Sequence, residues 1–125
     1  MTDQSILQWP RTADWPVIQH FATTAEHECT LSLAVPEDSP WLDGHFPQRA
    51  VLPGVVQLRW ASQIAARVWT SLSDVKQLNN VKFQNPILPP ASVQLTLTYK
   101  PEKRTVVALY RDGERIHSRA SIVFA

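Results

Sequence analysis

The residue types able to do chemistry are gathered in one stretch, Asp43-Gly44-His45-Phe46-Pro47-Gln48-Arg49-Ala50-Val51-Leu52-Pro53-Gly54-Val55. An imidazole titrates near neutral pH, so a histidine such as His45 is a group that can take and return a proton. Nine residues on, Pro53-Gly54 opens a stretch of helical pattern. A helix start offers backbone N–H groups that lack intrahelical acceptors, together with the positive end of the helix dipole. A base beside such amides is equipped to remove a proton next to a carbonyl while the amides hold the enolate oxygen. The same residues also suit a loop histidine bonded to a backbone carbonyl and a plain Pro-Gly turn. Residue types alone leave both readings open.

The elements that must position these groups can be read from periodicity. Residues 36–53 contain Pro36, Pro40, Pro47 and Pro53, with Gly44, Trp41 and Phe46 among them. Such a segment is too rich in locked φ angles for regular structure and too apolar for a loose linker, so an ordered loop pressed against the core is predicted. From Gly54 to about Leu72 the pattern is helical, with Pro53 suited to the first turn. Val55, Leu58, Ala61, Ile64, Ala65, Val68 and Trp69 form a broad apolar face, and Arg59, Gln63 and Arg67, spaced by four, form a polar stripe. The small Ala61, Ala65 and Ala66 invite close approach of other backbone, which predicts a helix wrapped by sheet.

Strand patterns flank the helix. From Ile18 to Val35 the chain reads as strand, and Cys29, Leu31, Leu33 and Val35 alternate with Thr30, Ser32 and Ala34. Val75–Phe83 and Val93–Tyr99 alternate as well. Pro101-Glu102-Lys103 turns the chain, Thr105–Tyr110 follows, Asp112-Gly113 signals a hairpin, and Ile116–Phe124 completes the pattern. Strands, a long helix and an antiparallel meander define an α+β fold in which a curled antiparallel sheet wraps one central helix. Residues 1–16, with Trp9-Pro10 and Trp15-Pro16, read as an irregular lead-in whose indoles pack on the domain. The 125 residues then form a single domain.

Composition excludes several classes of function. The apolar stretches are too short and interrupted for a membrane span. Met1–Ser5 lacks a basic n-region and no apolar run follows, so no secretory leader is expected. The one cysteine, Cys29, excludes an intramolecular disulfide and a cysteine-based zinc site, and it points to the cytosol. Its place on an apolar strand face suggests core, not nucleophile. His20, His27 and His117 have no ligand spacing, so no metal site is expected. The net charge of +1 hides an asymmetry: residues 1–62 carry three basic and seven acidic side chains, and residues 63–125 carry nine basic and four acidic. The basic half could receive an acidic protein or a phosphate-bearing ligand, although scattered solvated lysines and arginines are the plainer reading. No basic cluster with interleaved aromatics suggests nucleic acid.

Gly44-His45-Phe46-Pro47, then Leu52-Pro53-Gly54-Val55, then a helix bearing Gln63, resembles the hotdog-fold 3-hydroxyacyl-[acyl carrier protein] dehydratases of the FabA/FabZ type. Val81-Lys82-Phe83-Gln84-Asn85-Pro86-Ile87-Leu88-Pro89 looks like the strand-and-turn segment of that family, and the likeness covers about residues 27–124. Within it, Leu52-Pro53-Gly54-Val55-Val56-Gln57 is most similar to the ApeI-type dehydratases of bacterial aryl polyene pathways. The resemblance implies a hotdog fold and dehydration of a 3-hydroxyacyl thioester to the trans-2-enoyl thioester. It implies His45 as the base that removes the C2 proton and the backbone amide of Gly54, with Val55, as the group that binds the thioester carbonyl. Phe46, Arg59 and Gln63 fall among the substrate-binding positions. Trp41, Phe46, Trp60 and Trp69 would line an acyl tunnel or form aromatic core.

One departure stands out. The family carries a carboxylate five residues after the glycine, where this chain has Arg59, and a guanidinium cannot act as a general acid near neutral pH. Gln63 keeps the register. Three readings follow: His45 does both proton transfers, another group such as Asp43 supplies the acid, or the chain is a non-catalytic acyl-binding or partner subunit. A hotdog acyl thioesterase is a further alternative. By resemblance the chemistry needs no metal or organic cofactor, and the partners are an acyl carrier protein and a second subunit, in a homodimer, a higher oligomer or a heteromer.

Overall fold

The computed structural model describes residues 9–12, 14–36 and 51–125. Two strands, β1 (Val17–Ala25) and β2 (Glu28–Val35), precede the α-helix α1 (Gly54–Val68), the only α-helix among the described residues. The strands β3 (Val75–Phe83), β4 (Ala91–Lys100), β5 (Thr105–Asp112) and β6 (Arg115–Phe124) follow. All pair antiparallel in one six-stranded sheet of order β1-β2-β4-β5-β6-β3. The sheet wraps α1, as its apolar periodicity and small residues predict.

The sheet forms where alternation is cleanest. On β2, Cys29, Leu31, Leu33 and Val35 are buried while Thr30, Ser32 and Ala34 are half-buried on the other face. Val93, Leu95 and Leu97 of β4 lie opposite Leu33, Leu31 and Cys29, so apolar side chains meet across the ladder. Val106, Ala108 and Tyr110 of β5 and Ala120, Ile122 and Phe124 of β6 extend the same inner face. Ile18–Val35 divides into two strands at Glu26-His27. The β5–β6 hairpin turns through Gly113-Glu114, and Gly113 sits at φ +59, a region glycine enters without steric cost. Lys100–Arg104 is bridged by one 3-10 turn, Pro101–Lys103.

Two details of α1 differ from the sequence reading. The helix ends at Val68, not near Leu72: Trp69 takes an extended conformation, its N–H bonds Ala65 O at 2.8 Å, and Thr70-Ser71 favour a turn. The buried stripe is Val56, Gln57, Trp60, Ala61, Ile64 and Ala65, whereas Val55 is 73% exposed and Leu58 half-buried. The stripe is rotated by about one residue because apolar residues extend past its edge on to Val55 and Leu58. The sheet selects the face bearing Trp60, the larger payload.

Both indoles before β1 pack on the domain. Trp9 and Trp15 lie against the core with ring centroids 6.5 Å apart, and Trp9 also meets Phe21 at 5.7 Å. Trp60, fully buried, donates its indole N–H to Asp14 O at 2.9 Å. Among the described residues no helix is long and apolar enough to cross a membrane.

Candidate active site

The site is built around the start of α1. Pro53 occupies the N-cap at φ −60, ψ 143, and its carbonyl accepts from Val56 N at 3.1 Å and Gln57 N at 3.2 Å. Gly54 and Val55 are therefore the first two helical residues, whose N–H groups have no intrahelical acceptor. No acidic residue occupies the first turn, so the helix itself supplies no carboxylate to offset the positive end of its dipole.

The register of five strands delivers one row of side chains beneath this helix start. Leu31 pairs with Leu95, Leu95 with Tyr110, Tyr110 with Ser118, and Ser118 with Phe83. The row begins apolar and turns polar under α1. The Tyr110 hydroxyl donates to Gln57 O at 2.7 Å, and Ser118 Oγ donates to Gln57 Oε1 at 2.6 Å. Gln57 Nε2 in turn donates to Leu52 O at 3.3 Å. Full burial pushes the Tyr110 phenol well above its usual range, so it stays protonated and keeps donating.

Phe83 closes the row and lies over Gly54. The ring is 52% exposed, yet a Cβ built on Gly54 would stand 2.4 Å from its Cζ. Only a residue without a side chain lets that ring rest against the helix start. The segment after Phe83 is tied back to β6: Gln84 N and Asn85 N bond His117 O at 2.9 and 3.2 Å, and Asn85 Nδ2 donates to Ile116 O at 2.7 Å. Ile87, fully buried a little further on, accepts Leu52 N–H at 2.9 Å.

Of the residues singled out from sequence, His45, Phe46, Asp43 and Trp41 lie outside the described residues. Gly54, Val55, Arg59 and Gln63 all lie on α1. Arg59 and Arg67 are exposed and Gln63 half-buried, on one side of the helix as their spacing predicts. The Arg67 guanidinium sits 5.3 Å from the centre of the Trp15 ring. Gln63 Oε1 is buried with no hydrogen-bond donor among the described residues. Trp60 is core, and Trp69 packs on Tyr99 at 5.2 Å. Sequence reasoning passed over Gln57, Tyr110 and Ser118. The faint signal for Gln57 was a glutamine between apolar positions of the first helical turn.

The other candidates are placed elsewhere. Cys29 is fully buried, and desolvation, with a smaller push from Glu28, raises its thiol to about 12, so it is no nucleophile at neutral pH. His20 and His27 are exposed, His27 edge-on to Tyr99 at 6.0 Å. His117 is buried, with Nδ1 3.2 Å from Asn85 O. Among the described residues no cluster of three histidine, cysteine, aspartate or glutamate side chains could hold a metal ion.

A six-stranded antiparallel sheet with one central helix is the hotdog-like architecture that this chain shares with dehydratases of solved structure. The chain belongs to the ApeI-like family, described as ApeI dehydratase, whose family model matches residues 21–121. It is 26% identical over 98 residues to the 3-hydroxyacyl-[acyl-carrier-protein] dehydratase FabZ of Streptococcus pneumoniae serotype 4, covering 70% of each chain. Its structure is similar to the dehydratase heterocomplex ApeI:P from Xenorhabdus doucetiae, with a TM-score of 0.81, 27% identity, and coverage of 88% of this chain and 97% of that one. An uncharacterised protein from Erwinia carotovora subsp. atroseptica matches with a TM-score of 0.78 and 30% identity over 88% of this chain and 95% of that one.

Proposed function

We propose that the chain dehydrates a 3-hydroxyacyl thioester, carried on the phosphopantetheine arm of an acyl carrier protein, to the trans-2-enoyl thioester. The observation that carries this reading is the family match over residues 21–121, which spans both His45 and the helix start. The relative from Streptococcus pneumoniae supports the acyl carrier as the form of the substrate.

In this reading His45 removes the C2 proton and the freed electron pair becomes the C2–C3 π bond. The C3–O bond breaks, and the hydroxyl leaves as water with the proton that His45 returns. The Gly54 and Val55 amides hold the thioester oxygen as it gains charge. Phe46, Arg59 and Gln63 contact the substrate. The buried acceptor Gln63 Oε1 supports a donor arriving from outside the described residues. Arg59 keeps its charge and orients a hydroxyl, a water or the phosphate of the arm; it donates no proton.

Arg59 also favours a second reading, in which the chain is the partner subunit of an active dehydratase. The similar Xenorhabdus structure is a heterocomplex, which accords with it. Incubation with a 3-hydroxyacyl carrier-protein thioester, read by mass spectrometry, separates the readings. Loss of water, reduced at least about a hundredfold in His45→Ala, is expected for the dehydratase. Free acid would mean a thioesterase. An unchanged thioester, with dehydration appearing in Arg59→Glu, would mean a partner subunit that has lost its acid.

A further inference from the structure

Gln57 is 3% exposed, in a stripe otherwise made of Val56, Trp60, Ala61, Ile64 and Ala65. A carboxamide there must find partners for its donors and its acceptor, or its burial is costly. A leucine would fill similar space with no such demand. What distinguishes the glutamine is the set of groups it joins.

Ser118 Oγ donates to its Oε1 at 2.6 Å, which turns the Nε2 end toward Leu52 O at 3.3 Å. Tyr110 holds the backbone carbonyl of the same residue at 2.7 Å. Leu52 is thereby gripped at both polar groups, since its N–H reaches Ile87 O at 2.9 Å. The peptide between Leu52 and Pro53 is planar, and the ring of Pro53 locks its φ at −60. A single soft dihedral, ψ of Pro53, separates the gripped carbonyl from the N–H of Gly54. The grip therefore aims the first amides of the helix.

We propose that Gln57 is a positioning residue: its carboxamide, oriented by Ser118, fixes the Leu52 carbonyl and so holds the Gly54 and Val55 amides where they receive the thioester oxygen. The proposal rests on the dehydratase reading above. Its reach covers Ser118 and Tyr110, which act through Gln57 and touch no substrate.

The test compares the native chain with Gln57→Leu and Ser118→Ala, assayed with 3-hydroxybutyryl-pantetheine well below each variant's melting midpoint, where all of the protein is folded. Gln57→Leu should lower kcat about ten- to a hundredfold with KM within about twofold, because the lost contact serves the charge that develops in the transition state. Ser118→Ala should fall in the same direction, and the double variant should be no worse than Gln57→Leu. A folded Gln57→Leu that keeps native kcat overturns the proposal, as does a change confined to the melting midpoint. If the native chain itself turns over no thioester, the dehydratase reading fails separately, and amide hydrogen exchange decides the positioning role. Val56 and Gln57 amides bond Pro53 O. Their exchange rising about tenfold in Gln57→Leu, with Ile64 and Ala65 unchanged, supports the role, and uniform or unchanged exchange overturns it.

Discussion

Gly54 shows how much one missing side chain can decide. The ring atoms a new Cβ would meet are the far end of Phe83, and that side chain is half exposed, so it can swing aside. Gly54→Ala should therefore fold normally, with the usual helix gain of up to about 1 kcal/mol offsetting the displaced ring. Turnover should suffer instead, because the ring no longer rests over the amide that we propose takes the developing charge. Thermal melting beside a kinetic assay checks both halves, and a Gly54→Ala protein that melts far below the native chain would show that the ring cannot move.

At the scale of elements, α1 is pinned at its start from three sides: β5 through Tyr110, β6 through Ser118, and the Ile87 backbone through Leu52. Its N-cap is a proline, which offers no side-chain acceptor, so tertiary bonds replace the local cap that most helices use. Tyr110→Phe removes one donor and leaves the ring packed. It should cost about 1 kcal/mol, read from urea denaturation. A loss near zero would mean that the helix start is held without it.

At the scale of the whole molecule, β3 is the sheet edge opposite β1 among the described strands, and Val75, Leu78, Val81 and Phe83 all expose apolar surface along it. Such an edge invites a further strand. We expect a species heavier than 14.2 kDa by sedimentation at micromolar concentration, and a monomer alone would contradict that. β3 carries Lys76 and Lys82 and no acidic residue, so an acidic edge from another subunit pairs with less repulsion than a second copy. Stability should also depend on alkaline pH. The folded chain holds the Cys29 proton up to about 12, against 9.0 for an ordinary thiol, so the folded state binds more protons in that window. Its stability is full below pH 9 and falls as pH rises through 12, and buried Tyr110 acts in the same direction. Urea midpoints measured across this range should decline, and Cys29→Val should flatten part of the decline.

The alternating strands were legible in the sequence because alternation is local: Cys29, Leu31, Leu33 and Val35 point one way whatever lies opposite. The helix start at Pro53-Gly54 was legible for the same reason, since proline and glycine act on their own dihedrals. The helix face was not, because Val55 and Leu58 are as apolar as Val56 and Trp60, and only the sheet chooses between them. β3 carries a strand pattern, but lying at the edge it is left almost wholly exposed. The polar row beneath α1 was hidden altogether. Gln57, Tyr110 and Ser118 stand up to 61 residues apart, and their meeting depends on the registers of β4, β5 and β6. Chemistry carried by a residue type can be read along the chain, whereas the grip that aims a backbone amide exists only once strands distant in sequence are paired.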